Sequence, residues 1–233
     1  YYETVPMKGV RRSTAKKMVE SVRAAPHVTH MDEADVTELS RIREKQKESA
    51  QKQGVHLTYL PFVVRAVVAA LKQFPYLNSS VSEESEEIIL KKYFNIGVAV
   101  DTEDGLIVPV VKGADQKSIM KIAQEIQNLA EKARSREIDL ADLKGGTFTV
   151  TNIGFVGGIH ATPIINYPET AILATGRIYD KAMVRNGEIV ARKVMPLSLS
   201  FDHRVIDGVM GARFMNALIR YLEDPTLVCL ESP

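Results

Sequence analysis

The residues with the greatest chemical potential stand together near the end of the chain, in "LSLSFDHRVIDG", Leu197 to Gly208. His203 is flanked by Asp202 and Arg204, and Asp207 follows four positions later. An imidazole is the side chain best suited to take a proton near neutrality. Leu197, Leu199 and Phe201 alternate with Ser198, Ser200 and Asp202, which predicts a strand with one apolar and one polar face. If that strand runs one residue further, His203 joins the apolar face. Its partial desolvation then favours the neutral ring, the form that accepts a proton. Gly208 permits a tight passage from strand to helix. Taken singly, each residue has a plainer reading: a core histidine, a helix-capping or arginine-pairing Asp207, and an Arg204 that serves as a salt-bridge partner.

These residues must be positioned by a soluble-type chain of 233 residues, 45% apolar and 25% charged, with a formal charge of +1. That length buries a core amply, and nothing in the charge points to wholesale binding of nucleic acid or an anionic membrane. Cys229 is the only cysteine, so no internal disulfide can form, and the composition suits a reducing compartment. No run of about 18 apolar residues predicts a transmembrane helix, and no signal peptide is visible. The start at Tyr1-Tyr2 without methionine suggests a piece of a longer polypeptide.

Residues 1–8 read as a loose arm, and a helix follows through "RRSTAKKMVESVRAAPH", stopped by Pro26. "HVTHMDEADV" reads as a strand, and Thr37 as the cap of a polar helix closed by Gly54. "YLPFVVRAVVAALKQF" is apolar nearly all round, which predicts a buried helix with Pro61 in its first turn. Residues 87–113 predict three short strands, with an Asp104-Gly105 turn between the second and third. Ile119, Ile122, Ile126, Leu129 and Ala133 keep helical spacing. Then come a strand "TFTVTNI", a glycine-rich turn "GFVGG", a strand near "TAILATGRI", and a hairpin through Asn186-Gly187. The long strand "ARKVMPLSLSF" and a helix from Gly208 to Glu223, stopped by Pro225, complete the chain. Helices interleaved with hairpins predict one α/β domain around a mixed sheet flanked by helices.

The combination "SFDHRVIDG", with "GLIVPVVK", "GGTFTVTNIGFVGG" and "PETAILATGRI", resembles the dihydrolipoamide acyltransferases, the core components of 2-oxo acid dehydrogenase complexes. The resemblance runs from "VPMKGVRRSTAKKM" to "YLEDPTLVCLES". It implies a chloramphenicol-acetyltransferase-like fold for a catalytic domain over residues 9–233, with residues 1–8 as arm or linker remnant. It also implies transfer of an acyl group between the thiols of dihydrolipoamide and coenzyme A. His203 is then the general base, and Thr151, where relatives usually carry serine, donates to the oxyanion. Asp207 belongs to the same catalytic motif, more plausibly holding the loop than giving a proton. Coenzyme A, a substrate, is implied to contact Arg43, Thr58, Asp101, Thr151, Asn152, Gly176 and Ile178. Ala130 stands where relatives often place a polar contact. No metal is implied.

As partners, the resemblance implies a homotrimer with its catalytic channel between subunits, assembling into a 24- or 60-chain cage through C-terminal contacts such as "LVCL". The 2-oxo acid decarboxylase component and dihydrolipoamide dehydrogenase would attach through further domains, and a separate domain would carry the lipoyl group. "YDKAM" imitates a lipoyl-lysine sequence, but Lys181 falls along a strand rather than at the hairpin tip. Two alternatives remain: an O-acetyltransferase of the chloramphenicol type, against which Asp202 counts because that family carries two adjacent histidines, and a catalytically silent scaffold. The acyl group is open among acetyl, branched-chain and succinyl, and the compartment between cytoplasm and mitochondrial matrix.

Overall fold

The computed structural model describes residues 1–230, with side chains described through residue 228. Residues 1–8 are exposed and carry no regular structure, and α1 (Gly9–Ala24) follows. Then come β1 (His27–Asp35), α2 (Thr37–Lys52) and α3 (Leu60–Gln73). A run of short strands comes next: β2 (Ser79–Ser82), β3 (Glu87–Leu90), β4 (Ile96–Val98), β5 (Val100–Thr102), β6 (Gly105–Ile107) and β7 (Val110–Val111). After α4 (Ile119–Ser135) come β8 (Phe148–Asn152), β9 (Ala171–Thr175), β10 (Tyr179–Arg185) and β11 (Glu188–Asp202). The chain closes with α5 (Gly208–Glu223) and α6 (Pro225–Leu230).

The main sheet has the order β1-β11-β9-β8-β4-β7, with β10 also paired to β11. β8 runs parallel to both β4 and β9, and the other pairings are antiparallel. The sheet is therefore mixed, as the interleaved pattern predicted. β11 is its spine. Its first half pairs with β10 across Asn186-Gly187, both at positive φ (53° and 84°), the geometry of a two-residue hairpin turn. Its second half lies between β1 and β9.

The two faces of the sheet are covered differently. Phe148, Val150, Leu173, Leu197, Leu199 and Phe201 form the apolar face, packed with Phe214 of α5 and the residues of α3. α3 is buried from Pro61 to Leu71, as its all-round apolarity demanded. The opposite face carries Thr149, Thr151, Ser198, Ser200 and Asp202. It is not the solvated face that strand alternation alone suggests: Ser200 and Ser198 are buried. The Ser200 hydroxyl pairs with Thr29 at 2.7 Å, and Ser198 Oγ accepts from the Ala161 N–H at 3.3 Å. α1 and the segment 157–170 cover this face, and Ser21 Oγ of α1 donates to the Ile165 carbonyl at 2.7 Å.

Several local expectations are corrected. Thr37 is the first residue of α2 rather than its cap, and the Asp35 carboxylate takes both the Thr37 N–H (3.2 Å) and hydroxyl (2.6 Å). Arg192 and Arg185 hold that carboxylate from the other side, which leaves it well placed to serve the helix start. β2 was not anticipated because "SSVS" has no apolar alternation; it is defined by its hairpin with β3. The region predicted as three strands is divided further, partly by Pro109, which has no N–H to give to a ladder.

Candidate active site

β11 ends at Asp202, short of the further residue that would carry His203 onto the apolar face. The Asp202 carboxylate is 2% exposed and accepts the Arg204 backbone N–H at 2.9 Å. The Arg204 guanidinium grips the same carboxylate, Nε at 3.1 Å from both oxygens and Nη2 at 2.8 Å. This fork turns the chain out of the strand, and the Asp202 carbonyl accepts from the N–H groups of Val205 and Ile206. The Asp202 bond raises the Arg204 side chain further above its already high range. The His203 N–H donates to the Pro26 carbonyl at 2.9 Å. The His203 ring is therefore presented outward and exposed, its centroid 6.1 Å from that of Phe201. The expected place on the buried apolar face is overturned, because satisfying the Asp202 carboxylate ends the strand first. Asp207 caps α5, its carboxylate accepting from the Met210 N–H at 2.7 Å.

Thr151 lies in β8 and faces a cavity of about 520 Å³ between the sheet and α1. The walls are mostly apolar, among them Val10, Met18, Leu106, Val108, Ile153 and Ile164. Thr149 and Asn166 supply polar groups in the same wall, and both donate to the buried Glu169. A single chain does not bring Thr151 to His203. Thr151 pairs with Ala174 of β9, which pairs with Ser198 of β11. Two strand spacings of ~4.8 Å and the run along β11 from Ser198 at ~3.3 Å per residue put the two Cα atoms roughly 19 Å apart. No pair of side chains spans that gap to meet on one carbonyl carbon.

A second pocket of about 200 Å³ lies at the C-terminal end of β8, where Asn152 follows Thr151 and points to the other face, and is lined by Asn152, Gly176, Ile178, Tyr59 and Met195 among others. Arg43 reaches its edge: the guanidinium lies 4.9 Å from the Tyr59 ring centroid, and Nε donates to the Leu57 carbonyl at 3.0 Å. Arg43 also pairs with Glu44 at 3.2 Å. Thr58 sits within this segment but does not cap α3, whose cap position is Tyr59. Asn152, Gly176 and Ile178 thus line one pocket, Arg43 lies against its Tyr59, and Thr58 precedes Tyr59 in the chain without lining it. Asp101 is exposed on the β5–β6 hairpin and lines neither this pocket nor the Thr151 cavity.

At Gly154 and Gly176 the lack of a side chain is required by close backbone packing. A Cβ on Gly154 would fall 2.6 Å from the Gly176 carbonyl oxygen, and one on Gly176 would fall 2.0 Å from that of Ile159. Asn152 Oδ1 accepts from the Gly154 N–H at 2.8 Å and shapes the same turn. Tyr59 and Glu169 were missed by sequence reasoning. The signal for Tyr59 was its place just before a proline-led helix; for Glu169 it was an acid opening the apolar run "TAILAT". Lys181 lies along β10, paired to Glu33, away from the hairpin tip as expected. Of "LVCL", Val228 is buried in its own core and Leu227 packs against it, so these two do not form a free knob; the side chains of Cys229 and Leu230 lie outside the described residues.

Residues 1–230 match the family model for the 2-oxoacid dehydrogenases acyltransferase catalytic domain. The chain is 54% identical over 226 residues to the dihydrolipoyllysine-residue acetyltransferase component of the pyruvate dehydrogenase complex of Bacillus subtilis, covering 97% of this chain and 51% of the relative. It spans about half the length of the curated relatives it matches. A crystal structure of the Azotobacter vinelandii dihydrolipoamide acetyltransferase superposes with a TM-score of 0.95 at 43% identity, covering 98% of this chain and 94% of that one. That protein was investigated for the catalytic roles of a serine, a histidine 52 residues later and an asparagine four residues beyond it. The cubic core of a pyruvate dehydrogenase multienzyme complex matches with a TM-score of 0.95 at 42% identity, covering 98% of this chain and 94% of that one. Chloramphenicol acetyltransferase shares the fold, with a TM-score of 0.55 at 15% identity, covering 95% of this chain and 98% of that one. On the family match and these identities, the chain belongs to the 2-oxoacid dehydrogenase acyltransferase catalytic-domain family.

Proposed function

We propose that the chain transfers an acyl group between dihydrolipoamide and coenzyme A, and that the acyl group is acetyl, the group named for its relatives. One observation carries the reading: Thr151, His203 and Asp207 repeat the spacing of the serine, histidine and asparagine investigated in the Azotobacter protein, 52 residues and then four. A His203 ring nitrogen takes the proton of the coenzyme A thiol, whose free form is mostly protonated at neutral pH. The thiolate sulfur bonds to the acyl-lipoyl carbonyl carbon, and the carbonyl π pair moves to oxygen. The Thr151 hydroxyl donates to that oxyanion. When the carbon–oxygen double bond re-forms, the dihydrolipoamide sulfur leaves and takes the proton back from the imidazolium. Asp207 acts through the start of α5, holding the turn that carries His203. Arg43, Thr58, Asn152, Gly176 and Ile178 receive coenzyme A, with Arg43 suited to a phosphate. Thr151 borders the same substrate from the cavity side, and the role of Asp101 rests on the resemblance alone.

The gap of roughly 19 Å between Thr151 and His203 supports a site built from two copies. Val19 and Val22 of α1 and Phe155 and Val156 after β8 are exposed apolar groups that a neighbour can cover. We therefore place the chain in a homotrimer within a 24- or 60-chain cage, the core to which the decarboxylase and dihydrolipoamide dehydrogenase components attach through lipoyl-bearing and binding domains. Its compartment is the cytoplasm, or the mitochondrial matrix in a eukaryote, in keeping with a single cysteine.

Co-assembly tests both claims. His203→Ala alone is expected to lower thioester exchange by about two to four orders of magnitude with assembly unchanged. Mixed with Thr151→Val chains in equal amounts, it is expected to recover about a quarter of the wild-type rate, the fraction of random neighbour pairs with both groups intact. A normal rate in His203→Ala overturns the base assignment, and no recovery in the mixture overturns the shared site. Wild-type preference for an alcohol acceptor points to an O-acetyltransferase, and no exchange at all to a scaffold.

A further inference from the structure

The wall of the Thr151 cavity holds a buried carboxyl for which acyl transfer as written above has no use. Glu169 is 3% exposed. Its Oε2 accepts from Thr149 Oγ1 at 2.6 Å, and its Oε1 accepts from Asn166 Nδ2 at 3.0 Å. Both donors line the cavity, and Thr149 precedes Thr151 by two residues on the same face of β8. Two glycines leave room for the network. A Cβ on Gly97 would stand 2.8 Å from Thr149 Oγ1, and one on Gly146 would stand 2.7 Å from Glu169 Oε1. Three separate stretches of chain, around residues 97, 146–149 and 166–169, thus converge to house one acid.

We propose that Glu169 is a positioning residue for acyl transfer: by accepting from Thr149 and Asn166 it fixes the wall from which Thr151 meets the oxyanion. This rests on the acyl-transfer reading above. A donor to a developing oxyanion acts only if it is held in place before the reaction, and rigid second-layer hydrogen bonds are the means. The ionised carboxylate accepts from both partners at full strength; protonation turns one of its oxygens into a donor and a weaker acceptor. Burial pushes the Glu169 carboxyl up to about 7, against the opposing pull of the Thr149 and Asn166 hydrogen bonds. The charged groups facing it are Lys91, just after β3, and Lys17 on α1, which also favour the ionised form. The two donors therefore meet their strongest acceptor on the alkaline side of neutrality and a weaker one on the acid side.

Glu169→Gln keeps the shape but replaces an acceptor with an amide N–H. Steady-state exchange between acetyl-coenzyme A and free dihydrolipoamide, measured on the assembled protein from about pH 6 to 8, is expected to show kcat lowered about five- to fiftyfold, with KM for coenzyme A within about twofold. Part of the acid-side fall in wild-type kcat is expected to vanish in this variant. Thr149→Val, which keeps the branched shape and removes the donor, is expected to lower kcat in the same sense by about threefold or more, and it decides the matter if Glu169→Gln does not assemble. A kcat within twofold of wild type in either assembled variant, or a KM change that accounts for the whole loss, overturns the proposal while leaving acyl transfer intact. A wild-type protein with no exchange overturns both.

Discussion

The two ends of the candidate site are built by opposite means. At the His203 turn, a buried Asp202 and a half-exposed Arg204 lock the backbone and leave the imidazole exposed. In the Thr151 wall, the hydroxyls, an amide and Glu169 are packed under α1 and the 157–170 segment. The first arrangement fixes a main chain and frees a reagent; the second fixes the side chains themselves. A proton-transfer group that must meet a mobile substrate gains from the first, and a donor that must already be in place when charge develops gains from the second.

That contrast is sharpest in rate measurements. Thr151→Val is expected to lower kcat by about two to three orders of magnitude, the cost of losing one oxyanion donor, with KM little changed. An unchanged kcat there would erase the distinction between the two ends. Arg204→Ala leaves Asp202 buried without its cation, and thermal unfolding of the assembled protein should show a loss of about 2 kcal/mol or more.

The wall answers to pH instead. Glu169 holds its proton more tightly in the fold, its carboxyl pushed up to about 7, than in the unfolded chain, where a glutamate titrates near 4.5. Its contribution is thus fully present below about pH 4.5 and is lost as pH rises through about 7, up to about 3 kcal/mol. Stability measured against pH should fall through that window, and Glu169→Gln should flatten the fall. The smallest effect belongs to Asp207→Ala, which removes the cap of α5 and should cost about 1 kcal/mol by the same thermal measurement. A larger drop in rate than that loss explains would show that Asp207 does more than hold the turn.

Much of this was legible in the residues. The all-round apolar "LPFVVRAVVAAL" could be stable only as a buried helix, and Asn186-Gly187 could hardly be anything but a tight hairpin. The alternation of "LSLSFD" located the strand that leads to the histidine. It misjudged the far face, because alternation reports which residues are polar and not whether another segment covers them. The burial of Ser198, Ser200 and Asp202 came from α1 and residues 157–170, which pattern could not place over the sheet. Glu169 escaped for a related reason. An acid is ordinarily read as solvated, and its burial depends on donors from distant positions and on the space left by Gly97 and Gly146.

By itself, the sequence determined the element types, the mixed α/β class and the residues with chemical capacity, since periodicity and side-chain chemistry are local properties. Only the tertiary structure decided where β11 stops, that His203 is exposed, and that Thr151 lies strands away from it in the same chain. Those outcomes follow from satisfying a buried carboxylate and from strand order, both set by groups far apart in the chain.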